Sequence, residues 1–208
     1  MKRGVLTTLR DVVPLRPLTQ NEAYRIAELQ VDRLLKLADI DQPPVPLETL
    51  VGEVPKVHVR YVKPFPLSGC TEWVGSAWSI SISAQEPKVR QRFTLAHEFK
   101  HVLDNRFIDM IYPDFYGMKS HDRAEAVCDY FAGCLLVPRV WLKRAWASGV
   151  QQPIALARLF NVSTAAIEVR LSQTGLRQGR TRCDWPLTHR SGKYFRVGNV
   201  ATACDVAA

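Results

Sequence analysis

The sequence predicts an α+β protein: mainly helical, with a small sheet of the three-stranded type, followed by a helix-turn-helix-like pair. Three observations carry this. Apolar residues recur at helical spacing in several long segments, two short segments alternate with the period of a strand, and Ser163 stands between two short helical runs near the end of the pattern. At 208 residues, 47% hydrophobic and 23% charged, the chain can bury one substantial core.

In chain order, residues 1–18 carry Pro14 and Pro17 and read as a flexible arm. Thr19 followed by Glu22 three residues later is a capping box. Ala23, Ala27, Val31, Leu34 and Ala38 then trace one face of a helix, which Asp41-Gln42-Pro43-Pro44 breaks. Residues 57–62 and 77–83 alternate and read as strands, with His58 on the solvent side of the first. Residues 104–121 read as a long connection rich in Tyr, Asp and Gly. Connections of that length are often functional, which makes Tyr112, Tyr116 and His121 candidates for substrate contact or oxyanion stabilisation.

The most informative segment is His97-Glu98-Phe99-Lys100-His101. On a helix, residues i and i+4 lie on one face a turn apart, so both imidazoles can reach one Zn²⁺ at roughly 2.0–2.1 Å. The glutamate between them can address a metal-bound water. A second amphipathic helix follows, with Ala124, Val127, Cys128, Phe131, Cys134 and Leu135 as its apolar stripe, Asp122 at its start and Pro138 at its end. Glu125 and Asp129 sit one turn apart on its other side. A catalytic zinc takes three protein ligands and leaves one position open, so Glu125 completes the set. Asp129 can then hold a ligand histidine by its free N–H.

H-E-x-x-H, then about two dozen residues, then E-x-x-x-D is the pattern of the glutamate-zincin peptidases. Arg92-Phe93-Thr94-Leu95-Ala96-His97-Glu98-Phe99-Lys100-His101 resembles the active-site helix of the ImmA/IrrE family of metallopeptidases. Glu125 to Asp129 with Tyr130-Phe131-Ala132-Gly133-Cys134-Leu135-Leu136-Val137-Pro138 resembles that family's second motif. Trp78 to Ser83 sits where the family places a strand, and Leu156 to Leu171 is similar to its following helical pair. The likeness covers about residues 20–176. Lys100 stands where glycine is frequent and Cys128-Asp129 where Ala-Asn is common, and neither departure removes a ligand.

The resemblance implies a zincin-like peptidase domain over 19–150, a packed helix-turn-helix-like pair over 151–176 and a basic tail over 177–208. It implies a zinc endopeptidase in which His97, His101 and Glu125 hold Zn²⁺, Glu98 is the general base and then acid, and Asp129 orients a ligand imidazole. It further implies a protein substrate, a helix-turn-helix transcriptional repressor, cleaved in a stress or mobile-element response. Two other readings stay open: a non-catalytic regulatory module that binds protein or DNA, and one half of a toxin–antitoxin pair. An intact Glu98 argues against the binding module, which needs no base.

Charge bears on partners. The chain has net charge +8. From Arg170 onward seven Lys/Arg face two Asp, enough for weak, sequence-blind contact with nucleic acid but equally for an acidic protein. The pair over 153–172 can be read as a major-groove reader or as packed support, and the resemblance favours support. No apolar run approaches the roughly 20 residues of a membrane span, and residues 1–11 lack the pattern of a signal peptide. An odd number of cysteines, five, argues for a reducing, cytoplasmic setting rather than a disulfide framework. Cys183, His189 and Cys204 fit no zinc-ribbon spacing.

Overall fold

The computed structural model describes residues 4–114 and 117–176. Residues expected as a loose arm instead start with a helix, α1 (Val5–Arg10), whose Leu9 is fully buried. Its Arg10 explains why it docks. Nε and Nη2 donate to the carbonyls of Leu103 and Val102, two of the acceptors that the end of a later helix leaves without intrahelical partners.

Helix α2 (Gln20–Leu37) starts at the expected capping box: Thr19 Oγ1 accepts from the Glu22 N–H and Glu22 accepts from the Thr19 N–H. Ala23, Ala27, Val31 and Leu34 are buried as the periodicity requires, whereas Ala38 lies just past the helix end and is exposed. A short α3 (Leu47–Gly52) leads into strands β1 (Val57–Val62), β2 (Gly69–Val74) and β3 (Ala77–Ser83).

The sheet order is β1-β3-β2, with β1 parallel and β2 antiparallel to the central β3. Trp78, Ile80 and Ile82 fill one face of β3. Ser79, Ser81 and Ser83 on the other face are also buried. Their side chains are short, and longer neighbours reach over them: Arg60 of β1 and Glu72 of β2 approach within 3.6 Å across β3.

Helices α4 (Lys88–Asp104) and α6 (Ser120–Leu136) form the centre of the molecule, with Phe99 and Phe131 meeting between them. The long connection contains α5 (Ile108–Ile111). Helix α6 begins two residues before Asp122, and Asp114 Oδ1 accepts from the Ser120 N–H at 2.7 Å instead. Then come α7 (Arg139–Ala147), α8 (Pro153–Phe160) and α9 (Thr164–Thr174). The turn between the last two is as read: Asn161 adopts the left-handed region at φ 52° and Ser163 Oγ accepts from the Ala166 N–H. The pair is packed on the domain. Arg92 of α4 reaches both the Asn161 carbonyl and Glu48, and Arg170 of α9 donates to the Val137 carbonyl. No helix among the described residues is long and apolar enough to cross a membrane.

Lys100 is explained by a buried polar cluster. Its Nζ donates to Asp104 Oδ1 at 2.7 Å and to Gln30 Oε1 at 2.8 Å, while Tyr112 Oη donates to Asp104 Oδ2 at 2.6 Å. All four residues are 1% exposed or less. Removing one charge from such a pair strands the other in a low-dielectric interior. Lys100→Met is therefore expected to lower unfolding stability by about 3–5 kcal/mol in urea titration, and adding Asp104→Leu to recover a large part of it. A double variant no more stable than Lys100→Met would contradict this account.

Candidate metal centre

His97 faces Glu125 and Asp129, His101 faces Glu125 and Cys128, and Phe93, one turn before His97, lines a cavity with Gly133, one turn after Asp129, as antiparallel α4 and α6 require. One stripe of each helix therefore meets the other. His97 Nε2 lies 3.2 Å from Glu125 Oε2, His101 Nε2 lies 3.2 Å from Glu125 Oε1, and the two Nε2 atoms are 3.1 Å apart. Three donors so close, aimed at one point, suit a cation. Ligands held tetrahedrally at 2.0–2.1 Å from a zinc ion lie about 3.3–3.4 Å from one another, close to what these side chains show.

The supports of both imidazoles are visible. Asp129 Oδ1 sits 2.8 Å from His97 Nδ1, which leaves Nε2 with its lone pair free for a metal. Burial pulls the His97 pKa down, but the Asp129 hydrogen bond and the charges of Asp129, Glu125 and Glu98 outweigh it, and the net shift is upward. His101 moves the other way, lowered by burial and by the neighbouring His97. Cys128 Sγ lies 3.6 Å from His101 Nδ1. His97, His101 and Cys128 also offer ligand atoms within 4.8 Å of one another. The sulfur, however, stands behind the His101 ring, on the nitrogen turned away from His97, and burial pushes its thiol pKa well up. The Glu125 oxygens occupy the side where both Nε2 atoms converge, so the two imidazoles have two neighbouring third donors, Glu125 and Cys128.

Glu98 is 8% exposed and is held by a strand that the periodicity of the sequence did not reveal. Thr71 Oγ1 of β2 donates to Glu98 Oε2 at 2.7 Å, leaving Oε1 without that partner. Two residues earlier on the same face of β2 stands Gly69, where a Cβ would come within 2.5 Å of Thr94 Cγ2 and 2.9 Å of Glu98 Cγ. Nothing larger than glycine leaves the Glu98 side chain in place. Gly69→Ala is expected to cost about 1–3 kcal/mol of stability, as overpacking does, and to slow any reaction that uses Glu98 while leaving metal content unchanged. Unaltered turnover per folded molecule would show that the packing has no bearing on chemistry.

The remaining candidates separate. His121 is 79% exposed in its side chain, with Nδ1 3.9 Å from Glu125 Oε1, at the rim of the centre. Tyr112 is corrected: its hydroxyl is buried and committed to Asp104, so it presents nothing to a substrate. Tyr116 lies outside the described residues, as do Cys183, His189, Cys204 and the basic tail.

Residues 52–172 match the family Peptidase_M78, described as the IrrE N-terminal-like domain. No curated protein sequence matches the chain. A solved structure titled a Mycobacterium tuberculosis transcriptional regulator is similar in fold, with TM-score 0.60 and 16% identity over 82% of this chain and 52% of that one. The chain thus spans about half the length of that regulator.

Proposed function

The chain belongs to the Peptidase_M78 family, and from that premise we propose that it is a zinc-dependent endopeptidase acting on a protein substrate. The observation that carries the reading is the convergence of His97, His101 and Glu125, with Glu98 beside them and pinned by Thr71 rather than spent on the metal. A module that only binds has no use for a carboxylate so placed.

In this reading His97 Nε2, His101 Nε2 and a Glu125 oxygen hold Zn²⁺, with Asp129 fixing the His97 ring. When bound, the ion supplies Lewis acidity, polarising a carbonyl and making water nucleophilic near neutral pH. Thr71 keeps Glu98 Oε2 occupied and its carboxylate oriented. Oε1 takes the proton of the attacking water and returns it to the leaving amine. The finer reading, a helix-turn-helix repressor as substrate, rests on the family resemblance. A DNA-reading role for α8 and α9 has less behind it, because the single basic residue of α9, Arg170, is 2% exposed and turned into the domain.

The test is proteolysis. Zinc-loaded protein incubated with casein and with a helix-turn-helix repressor from the same genome should cut at least one of them, a chelator should stop the cutting, and added zinc should restore it. Cleavage indifferent to chelation, or none of either protein, counts against the peptidase reading.

A further inference from the structure

A cavity of about 300 Å³ opens beside the metal centre, between α4, α6 and α9. It continues the two stripes that build the centre. On α4, Val89 and Phe93 precede His97 at steps of four; on α6, Gly133 follows Glu125 and Asp129 at the same step. Because the helices are antiparallel, both stripes run towards the same end, and the cavity begins one turn, roughly 5–6 Å, from the ligands. Asp129 belongs to both: it holds His97 and lines the cavity.

Helix α9 and the turn before it close the far side. Val162, Ala166 and Val169 add to the apolar lining, and Val169 is 54% exposed. The side of α9 that carries Ala166, Val169 and Gln173 forms one wall of the cavity. At its floor lies Arg170, buried at 2%, with Nε on the Val137 carbonyl, Nη1 on Gln173 and the guanidinium over the Tyr130 ring; among the described residues it has no carboxylate partner. Arg90, stacked over Phe93, stands at the mouth, and the positive end of the α9 dipole points the same way from Ser163. Gly133 keeps the floor open for Arg170, since a Cβ there would meet Arg170 Cδ at 3.1 Å.

We propose that this cavity is the specificity pocket of the peptidase, taking a large, uncharged apolar side chain of the residue flanking the scissile bond and rejecting lysine and arginine. The proposal rests on the metallopeptidase reading above. The lining favours an aliphatic or aromatic group; its one carboxylate, Asp129, is engaged by His97, and Arg90, Arg170 and the α9 N-terminus outweigh it against a cation. The helix-turn-helix-like pair then has a function of its own, to supply half of the pocket.

The test uses the full, zinc-loaded chain and three hydroxamates identical except for one side chain next to the metal-binding group: hydrogen, isobutyl or aminobutyl. Each is made in both polarities, with the side chain on the acyl or the amine side. Affinity is read by calorimetry, so no turnover is needed. In one polarity the isobutyl compound should bind at least about tenfold tighter than the hydrogen compound, the scale set by a side chain in an apolar pocket, and the aminobutyl compound no tighter than hydrogen. Val169→Trp and Ala166→Phe, which fill the cavity, should erase the preference. Val140→Trp, on an exposed site of α7, should keep it. Equal binding of isobutyl and hydrogen in both polarities, or a preference that survives both filling variants, overturns the pocket while leaving the metal centre standing. Failure of every hydroxamate to bind removes the metal centre and the pocket with it.

Discussion

Replacing either His97 or His101 with alanine is expected to strip the metal, taking zinc from one per chain to none after dialysis. The three donors act together: with one imidazole gone, the remaining pair cannot close around an ion, and apparent affinities for well-built zinc sites correspond to about 10–16 kcal/mol, most of which is then lost. Glu125→Ala should weaken binding in the same way. Asp129→Ala is a milder change, because the side chain holds His97 Nδ1 at 2.8 Å without facing the ion itself; about 10–100-fold is the usual loss. Cys128→Ala separates the two donor sets that the geometry offers. If Glu125 is the third ligand, this variant keeps its zinc, whereas loss of zinc would transfer the role to the sulfur. Stoichiometric zinc in the double histidine variant, by elemental analysis, would sink the assignment altogether.

How much of this was readable in advance follows from what each element had to bury. The ligand helices were legible because one side of each must be apolar and the other must carry His97, His101, Glu125 and Asp129 at whole-turn steps, so that chemistry and periodicity reinforce one another. The capping box at Thr19 and the left-handed turn before Ser163 were legible because caps are local chemistry. Strand β2 was not. Its contact with α4 is made through Gly69 and Thr71, neither of which leaves an apolar alternation, yet these residues set the position of Glu98. The same holds for α1, where two prolines pointed to a loose arm; what docks it is Leu9 and a guanidinium reaching carbonyls more than ninety residues away. Tyr112 looked available because a hydroxyl in a long connection is usually exposed, and the partner that claims it, Asp104, owes its burial to Lys100. Long-range polar pairing of this kind has no period to read.

Glu98→Gln is expected to keep the fold and the metal and to lose proteolysis. The substitution is nearly isosteric, which matters in a site where Gly69 allows no extra atom near Glu98 Cγ. Thr71 can still hydrogen-bond to the amide oxygen in place of Oε2, so the side chain stays oriented. What disappears is the ability to accept a proton at neutral pH, and positioned general bases are typically worth about 10²–10⁴-fold. A gel assay against the substrate resolves a loss of that size, with elemental zinc and a thermal melt on the same preparation as controls. Because substrate binding does not depend on the base, the variant should hold its partner uncut and permit its recovery from cell extract. The opposite outcome is equally informative. If wild type and Glu98→Gln bind a partner alike and neither cuts it, the zincin geometry has been retained for recognition alone, and the chain is a regulator that works by contact rather than by hydrolysis.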